Sequence, residues 1–188
     1  MNALISLWLP ILLSAVVVFI ISSLIHMVIK WHAPEYKGFA NEDAVRAAIN
    51  AGNPSPGQYV LPYCKDMKDL ANETMQKKFQ EGPVGFLRLG PKGGHNMGKS
   101  LGIWFLFSLA VSAVAAYLAV RIYGLEPMFV RSPAKLIGAV AFIAYGFGGI
   151  PESIWMARPW TSTAKYLLDA ALYAAGTGAT FYFLWPSA

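Results

Sequence analysis

The first charged side chain in the sequence is Lys30. Ahead of it, Ala3 to Ile29 form a run of 27 residues without Asp, Glu, Lys or Arg, longer than the ~20 residues a helix needs to cross about 30 Å of hydrocarbon. In lipid every unpaired backbone group is costly, so a run of this kind is stable there only as a helix. A cleaved signal peptide places its basic residues before a shorter apolar core. Here the basic residue follows the run, and no cleavage is expected.

The rest of the chain repeats the pattern. Of 188 residues, 56% are hydrophobic and 13% charged, where soluble domains carry about 25% charged residues. The mean hydropathy is +0.45. Further apolar runs extend over 101–120, 136–156 and 166–184. The expected fold is therefore an all-α integral membrane protein, a four-transmembrane-helix bundle. Residues 1–30 would be the first span, 31–100 a small mixed extramembrane loop region, and 101–188 the three spans completing one bundle. Small residues at helical spacing (Ser108, Ser112, Ala116; Ala141, Ala144, Gly148; Ala170, Ala174, Gly178) mark the expected packing faces.

Region 31–100 holds 9 of the 15 basic and 7 of the 10 acidic residues. Asn41 followed by Glu42 and Asp43 reads as an N-cap and acidic first turn of a helix stopped by Gly52. A second helix is expected from Asn72 through Gln80, ending at Gly82-Pro83. The β-rich stretches 58–63 and 84–89 are placed to pair as an antiparallel ribbon.

Basic residues flanking the spans fix the expected orientation. Lys30, Lys37, Arg46, Arg88, Lys92, Lys99, Arg158 and Lys165 share one face, against Arg121, Arg131 and Lys135 on the other. That asymmetry predicts a cytoplasmic 31–100 loop with both termini outside, in a bacterial inner (plasma) membrane. It also accounts for the net charge of +5 without a nucleic-acid partner. Trp31, Trp104, Trp155 and Trp160 would ring the cytoplasmic boundary, and Trp8, Tyr123, Tyr182 and Trp185 the opposite one.

Candidate chemistry is sparse. Gly93 to Ser100, with Gly93, Gly98, Lys99 and Ser100 at the key positions, matches a phosphate-binding loop formally. No downstream strand ending in Asp exists to hold Mg²⁺, so the match is read as chance. The single cysteine, Cys64, excludes a Cys-pair zinc or redox site. His26, His32, His95 and Met97 are the candidate metal ligands, with Cys64, Met67 and Met75 as further soft donors. His26 and His32 lie six apart, about 240° around a helix axis, so joint ligation requires the helix to end between them; Trp31 and Pro34 allow that. More informative is depth: His26, Glu152, Asp169 and Lys99 fall near the same end of the four spans. Ionisable groups there face a bundle interior or a cavity. They form either an ion-pair layer, Lys165 with Asp169 and Arg158 with Glu152, or a proton-responsive or small-ligand site beside Pro151.

The motifs Ser22-Ser23-Leu24-Ile25-His26-Met27 leading into Trp31-His32, Asn41-Glu42-Asp43-Ala44-Val45-Arg46, and Ile154-Trp155-Met156-Ala157-Arg158-Pro159-Trp160 resemble a family of uncharacterised four-span bacterial inner-membrane proteins. The resemblance covers essentially the whole chain. It implies the fold and the location and no catalytic residue.

Three functional classes remain. The first is a non-enzymatic accessory or assembly subunit of a membrane complex, partnered by another membrane protein or by a second copy. The second is a small-ligand or proton-linked binding or transport protein using His26, Glu152, Asp169 and Lys99. The third is a metal- or haem-binding membrane redox component. The first reading needs no cofactor.

Overall fold

The computed structural model describes residues 2–94 and 96–186. The N-terminal run forms α1 (Asn2–Ser6) and α2 (Trp8–Ser23). The break at Leu7 has its cause at Pro10, which has no N–H for the Ser6 carbonyl and whose ring crowds it. From Leu24 to Ile29 the helix widens into a π-helix, closed by a bond from Lys30 N–H to the Ile25 carbonyl at 2.8 Å. Lys30 itself is left-handed, with φ 55°, and there the chain leaves the helix.

Outside the long helices lie α3 (Glu42–Ala51), β1 (Gly57–Leu61), α4 (Glu73–Glu81) and β2 (Gly85–Leu89). The strands pair antiparallel, Gly57 opposite Leu89 and Leu61 opposite Gly85. Asn72 caps α4 by accepting from Thr74 N–H at 3.0 Å. Asn41 precedes α3 without a side-chain cap bond.

The remaining long helices are α5 (Met97–Tyr123), α6 (Arg131–Gly146) and α8 (Trp160–Leu184). A 3-10 turn, Phe147–Gly149, leads from α6 into the short α7 (Ile150–Trp155), where Pro151 sits in the first turn. The expected break at Pro151 thus falls at a helix start, after Gly146, Gly148 and Gly149. By length and composition three segments suffice to cross a membrane: Trp8–Ile29, Met97–Tyr123 and Arg131–Trp155. The α8 helix, more polar, lies outside that set.

Helices α2, α5, α6 and α8 pack in a ring, each against two others. Leu7, Ala116, Ile137 and Phe181 form the core at one end, and Val18, Ile25 and Tyr173 at the other. The chain therefore runs up and down. Helices α6 and α8 meet through glycine: a Cβ on Gly178 would stand 3.2 Å from the Ala134 carbonyl oxygen and 3.6 Å from Gly138 Cα. Across α2 and α5, the buried Ser14 and Ser112 hydroxyls hydrogen-bond at 2.7 Å. Such bonds join helices in lipid, at about 0.6 kcal/mol each.

Two expectations about faces are corrected. Ala144 and Gly148 are exposed; the inward face of α6 is Ala134, Ile137 and Ala141, and it turns onto Tyr145, which packs against Trp104 and Tyr173. Trp104 and Trp185 face inward instead of outward. Trp104 points inward and donates to Ser22 Oγ at 3.0 Å. Trp185 is buried, donating to the Leu125 carbonyl at 3.0 Å. An indole N–H with an interior acceptor has no need of the headgroup layer.

Candidate functional site

Between the π-helix and α8 lies a cluster that the backbone builds from two directions. The π-helix ends at Lys30, Trp31 turns, and His32 opens a 3-10 turn over Ala33–Glu35 with Pro34 inside it. This reversal brings His32 back over His26. Their rings stack at 5.1 Å between centroids with 15° between planes. On α8, Lys165 and Asp169 lie one turn apart on the face toward these residues.

The contacts are specific. His32 Nδ1 lies 2.8 Å from Glu35 Oε1, and His32 Nε2 lies 2.7 Å from Asp169 Oδ2. Lys165 Nζ lies 3.3 Å from Glu35 Oε1 and donates to the Trp31 carbonyl at 2.6 Å. Tyr166 packs edge-on against the His32 ring at 5.6 Å, with the Arg158 guanidinium 4.1 Å over its own ring. His32 and Asp169 are 7% and 3% exposed. His26 is exposed, its Nδ1 hydrogen-bonded to the Ser22 carbonyl at 2.9 Å.

Proton counting constrains this arrangement. A neutral imidazole donates from one nitrogen only, yet both His32 nitrogens face carboxylates at hydrogen-bond distance. Both contacts can be hydrogen bonds only if Glu35, His32 and Asp169 together hold one proton beyond that of the neutral ring. With the proton on His32, two carboxylates are balanced by an imidazolium and the Lys165 ammonium. The group is then neutral as a whole, as burial requires. Glu35 sits among opposing influences: burial pushes its carboxyl up, but the hydrogen bonds from His32 and Lys165 prevail and hold it below the ordinary 4.5.

Two polar atoms of the cluster are buried without a hydrogen-bond partner, the Trp31 indole nitrogen Nε1 and Asp169 Oδ1. An unsatisfied buried acceptor costs about 1–3 kcal/mol, and of the two Asp169 Oδ1 is the one that could accept from or ligate a bound group.

The structure divides the sequence candidates. His26 and Asp169 come together, and His32 lies between them; the ligand atoms of all three fall within 4.8 Å of one another. Glu152 joins a different group: its Oε1 accepts from Arg88 Nη2 at 2.8 Å and its Oε2 from Arg158 Nη1 at 3.3 Å, tying β2 to α7. Lys99 is exposed in the first turn of α5, where its backbone N–H is capped by Asn96 Oδ1 at 3.0 Å. Met97 is also exposed in that turn. His95 lies outside the described residues. Gly98, Lys99 and Ser100 are already helical and Gly93 lies in the preceding exposed turn, behind an antiparallel ribbon instead of the parallel sheet a phosphate loop uses.

The pair expected between Lys165 and Asp169 is corrected: Lys165 turns to Glu35, and Asp169 takes His32. Glu35 was not a sequence candidate. Its signal was present in the i, i+3 spacing from His32 across Pro34, but it required knowing that the chain turns there. No known protein family, curated protein or solved structure matches the chain.

Proposed function

We propose that the chain is a four-span protein of a bacterial inner membrane, with region 31–100 and the Arg158–Lys165 corner in the cytoplasm, that binds a small ligand in a proton-linked manner. The site is the group His26, His32 and Asp169, supported by Glu35 and Lys165. The observation that carries this reading is His32 held between two carboxylates, one of which keeps a buried oxygen unused. A purely structural ion pair gains nothing from an orphaned acceptor. A binding site gains a free lone pair and a proton to exchange.

The fourth span is supported by the distribution of residues on α8. The buried positions include Ser162, Thr163, Asp169 and Thr177, whereas the exposed ones from Ala164 onward are alanines, Leu168, Leu172, Phe183 and the tyrosines 166 and 182. Its outward surface is one that lipid accepts.

Native mass spectrometry of protein extracted from its own membranes tests the reading. A small adduct should be present, lost in Asp169→Asn and retained in Glu152→Gln. An adduct that survives Asp169→Asn refutes it.

The accessory-subunit reading rests on a separate observation: among the described residues from Ala33 to Asn96 none is buried, while Leu61, Tyr63, Val84 and Phe86 are exposed near the ribbon. A segment of this size without a core of its own is consistent with a surface that a membrane partner or a second copy covers. Cross-linking in native membranes should then yield a stoichiometric product. A protease-resistant loop on an uncross-linked monomer would count against it.

A further inference from the structure

We infer that His26, His32 and Asp169 form a binding site for a divalent first-row transition-metal ion, zinc or a near neighbour. The inference rests on the ligand-binding reading above and names the ligand's chemistry.

The tautomers are the first ground. His26 Nδ1 is tied to a carbonyl, which only accepts, so in the neutral ring that nitrogen carries the proton and Nε2 carries the lone pair. His32 Nδ1 is likewise tied to a carboxylate, that of Glu35. Each ring is thereby oriented by its Nδ1–H and presents Nε2. Metal-bound histidines characteristically show this arrangement, one nitrogen on the ion and the other N–H on a carbonyl or carboxylate.

The third donor is Asp169, 3% exposed, with Oδ2 at His32 Nε2 and Oδ1 unpartnered. Two imidazole nitrogens and a carboxylate suit zinc and other borderline divalent ions. Ligands about 2.0–2.1 Å from a tetrahedral ion stand about 3.3 Å apart, and here one ligand atom from each residue already lies within 4.8 Å of the others. The His32 Nε2–Asp169 Oδ2 pair, at 2.7 Å, has to open by about 0.6 Å once its shared proton is displaced, and the remaining contraction falls to His26, whose ring is exposed. The ion displaces the proton held between His32 and Asp169. With Glu35, Asp169 and Lys165 charged and both rings neutral, a dipositive ion leaves the group at +1. That suits an anion or hydroxide in a fourth coordination position facing the exposed side.

Full-length protein in detergent, stripped with a chelator, is titrated with Co²⁺ as an optical probe, followed by Zn²⁺. The expected result is one Co²⁺ per chain with ligand-field absorption in the visible, displaced by stoichiometric zinc. His26→Ala, which leaves the His32–Asp169 contact in place, should weaken binding at least tenfold. Asp169→Asn should abolish it, Glu35→Gln should weaken it about 10–100-fold, and Glu152→Gln should bind as wild type. Absence of saturable cobalt, or undiminished binding in both His26→Ala and Asp169→Asn, overturns the inference. If no metal binds but a non-metal adduct from native membranes disappears in Asp169→Asn, the metal assignment fails and the ligand-binding reading stands. If neither is found, both fail.

Discussion

Replacing Glu35 by Gln isolates the contribution of the network around His32. The carboxylate receives His32 at 2.8 Å and Lys165 at 3.3 Å, and its side chain is only 14% exposed, so solvent screening is limited. A hydrogen bond to a charged group contributes about 1.5–3 kcal/mol. Gln retains one carbonyl acceptor, enough for the shorter bond in neutral form, and adds an amide that neither cation can use. A net loss of about 2–3 kcal/mol follows, or roughly 5–10 °C in melting temperature for a chain of this size. The pH dependence provides the sharper check. Because the folded-state value of Glu35 lies below the ordinary 4.5, the unfolded chain takes up the proton first as pH falls. The stabilisation is complete above 4.5 and disappears as pH drops through the folded value. Tryptophan fluorescence melts in detergent, recorded from pH 7.5 down to pH 3.5, should show a gap between wild type and variant that narrows below pH 4.5. A gap that is zero at pH 7.5, or constant across the range, refutes the reasoning.

Three further outcomes are expected. Gly178→Leu should separate α6 from α8, because even a Cβ there meets the Ala134 carbonyl oxygen at 3.2 Å; loss of the monodisperse species on size exclusion would show it. Ala157→Gly should raise stability by about 1 kcal/mol, since Ala157 is exposed at φ 53°, a left-handed conformation that costs a non-glycine residue roughly that much; unchanged thermal melts would count against it. An impermeant thiol reagent on intact cells should label Met128→Cys, in the exposed turn between α5 and α6, and reach Cys64 only after permeabilisation; the opposite order inverts the proposed orientation.

The long helices were legible because hydrophobic runs of this length have few alternatives in lipid. The ends of the short helices followed from Asn72, Gly52 and Gly82, and the ribbon from β-rich stretches between Gly and Pro. The site was legible only in part. His26 and Asp169 were visible as ionisable groups at one depth, but depth alone also admitted Glu152 and Lys99. What separates them is lateral position around the ring of helices, which a single sequence does not encode. Glu152 goes to Arg88, a residue on a strand 64 positions earlier, and no local pattern announces that pairing.

The π-helix accounts for the remainder. Helical periodicity placed His26 and His32 on different faces, and an uninterrupted α-helix would keep them apart. The wider turn from Leu24 to Ile29, ended by left-handed Lys30, stops the helix between them and folds His32 back. Single π turns recur at functional sites, where they re-aim side chains at the expense of regular hydrogen bonding. A left-handed lysine adds about 1–2 kcal/mol of strain, so the reversal is not the lowest-energy path for the backbone alone. It is held by what it brings together: His32 against Asp169, and the Trp31 carbonyl against Lys165, both on α8. The same contacts explain why α8 is too polar to count among the three apolar spans. Its inward face must supply Lys165 and Asp169 to the cluster. The local irregularity of the first long helix and the polarity of α8 are two sides of one arrangement.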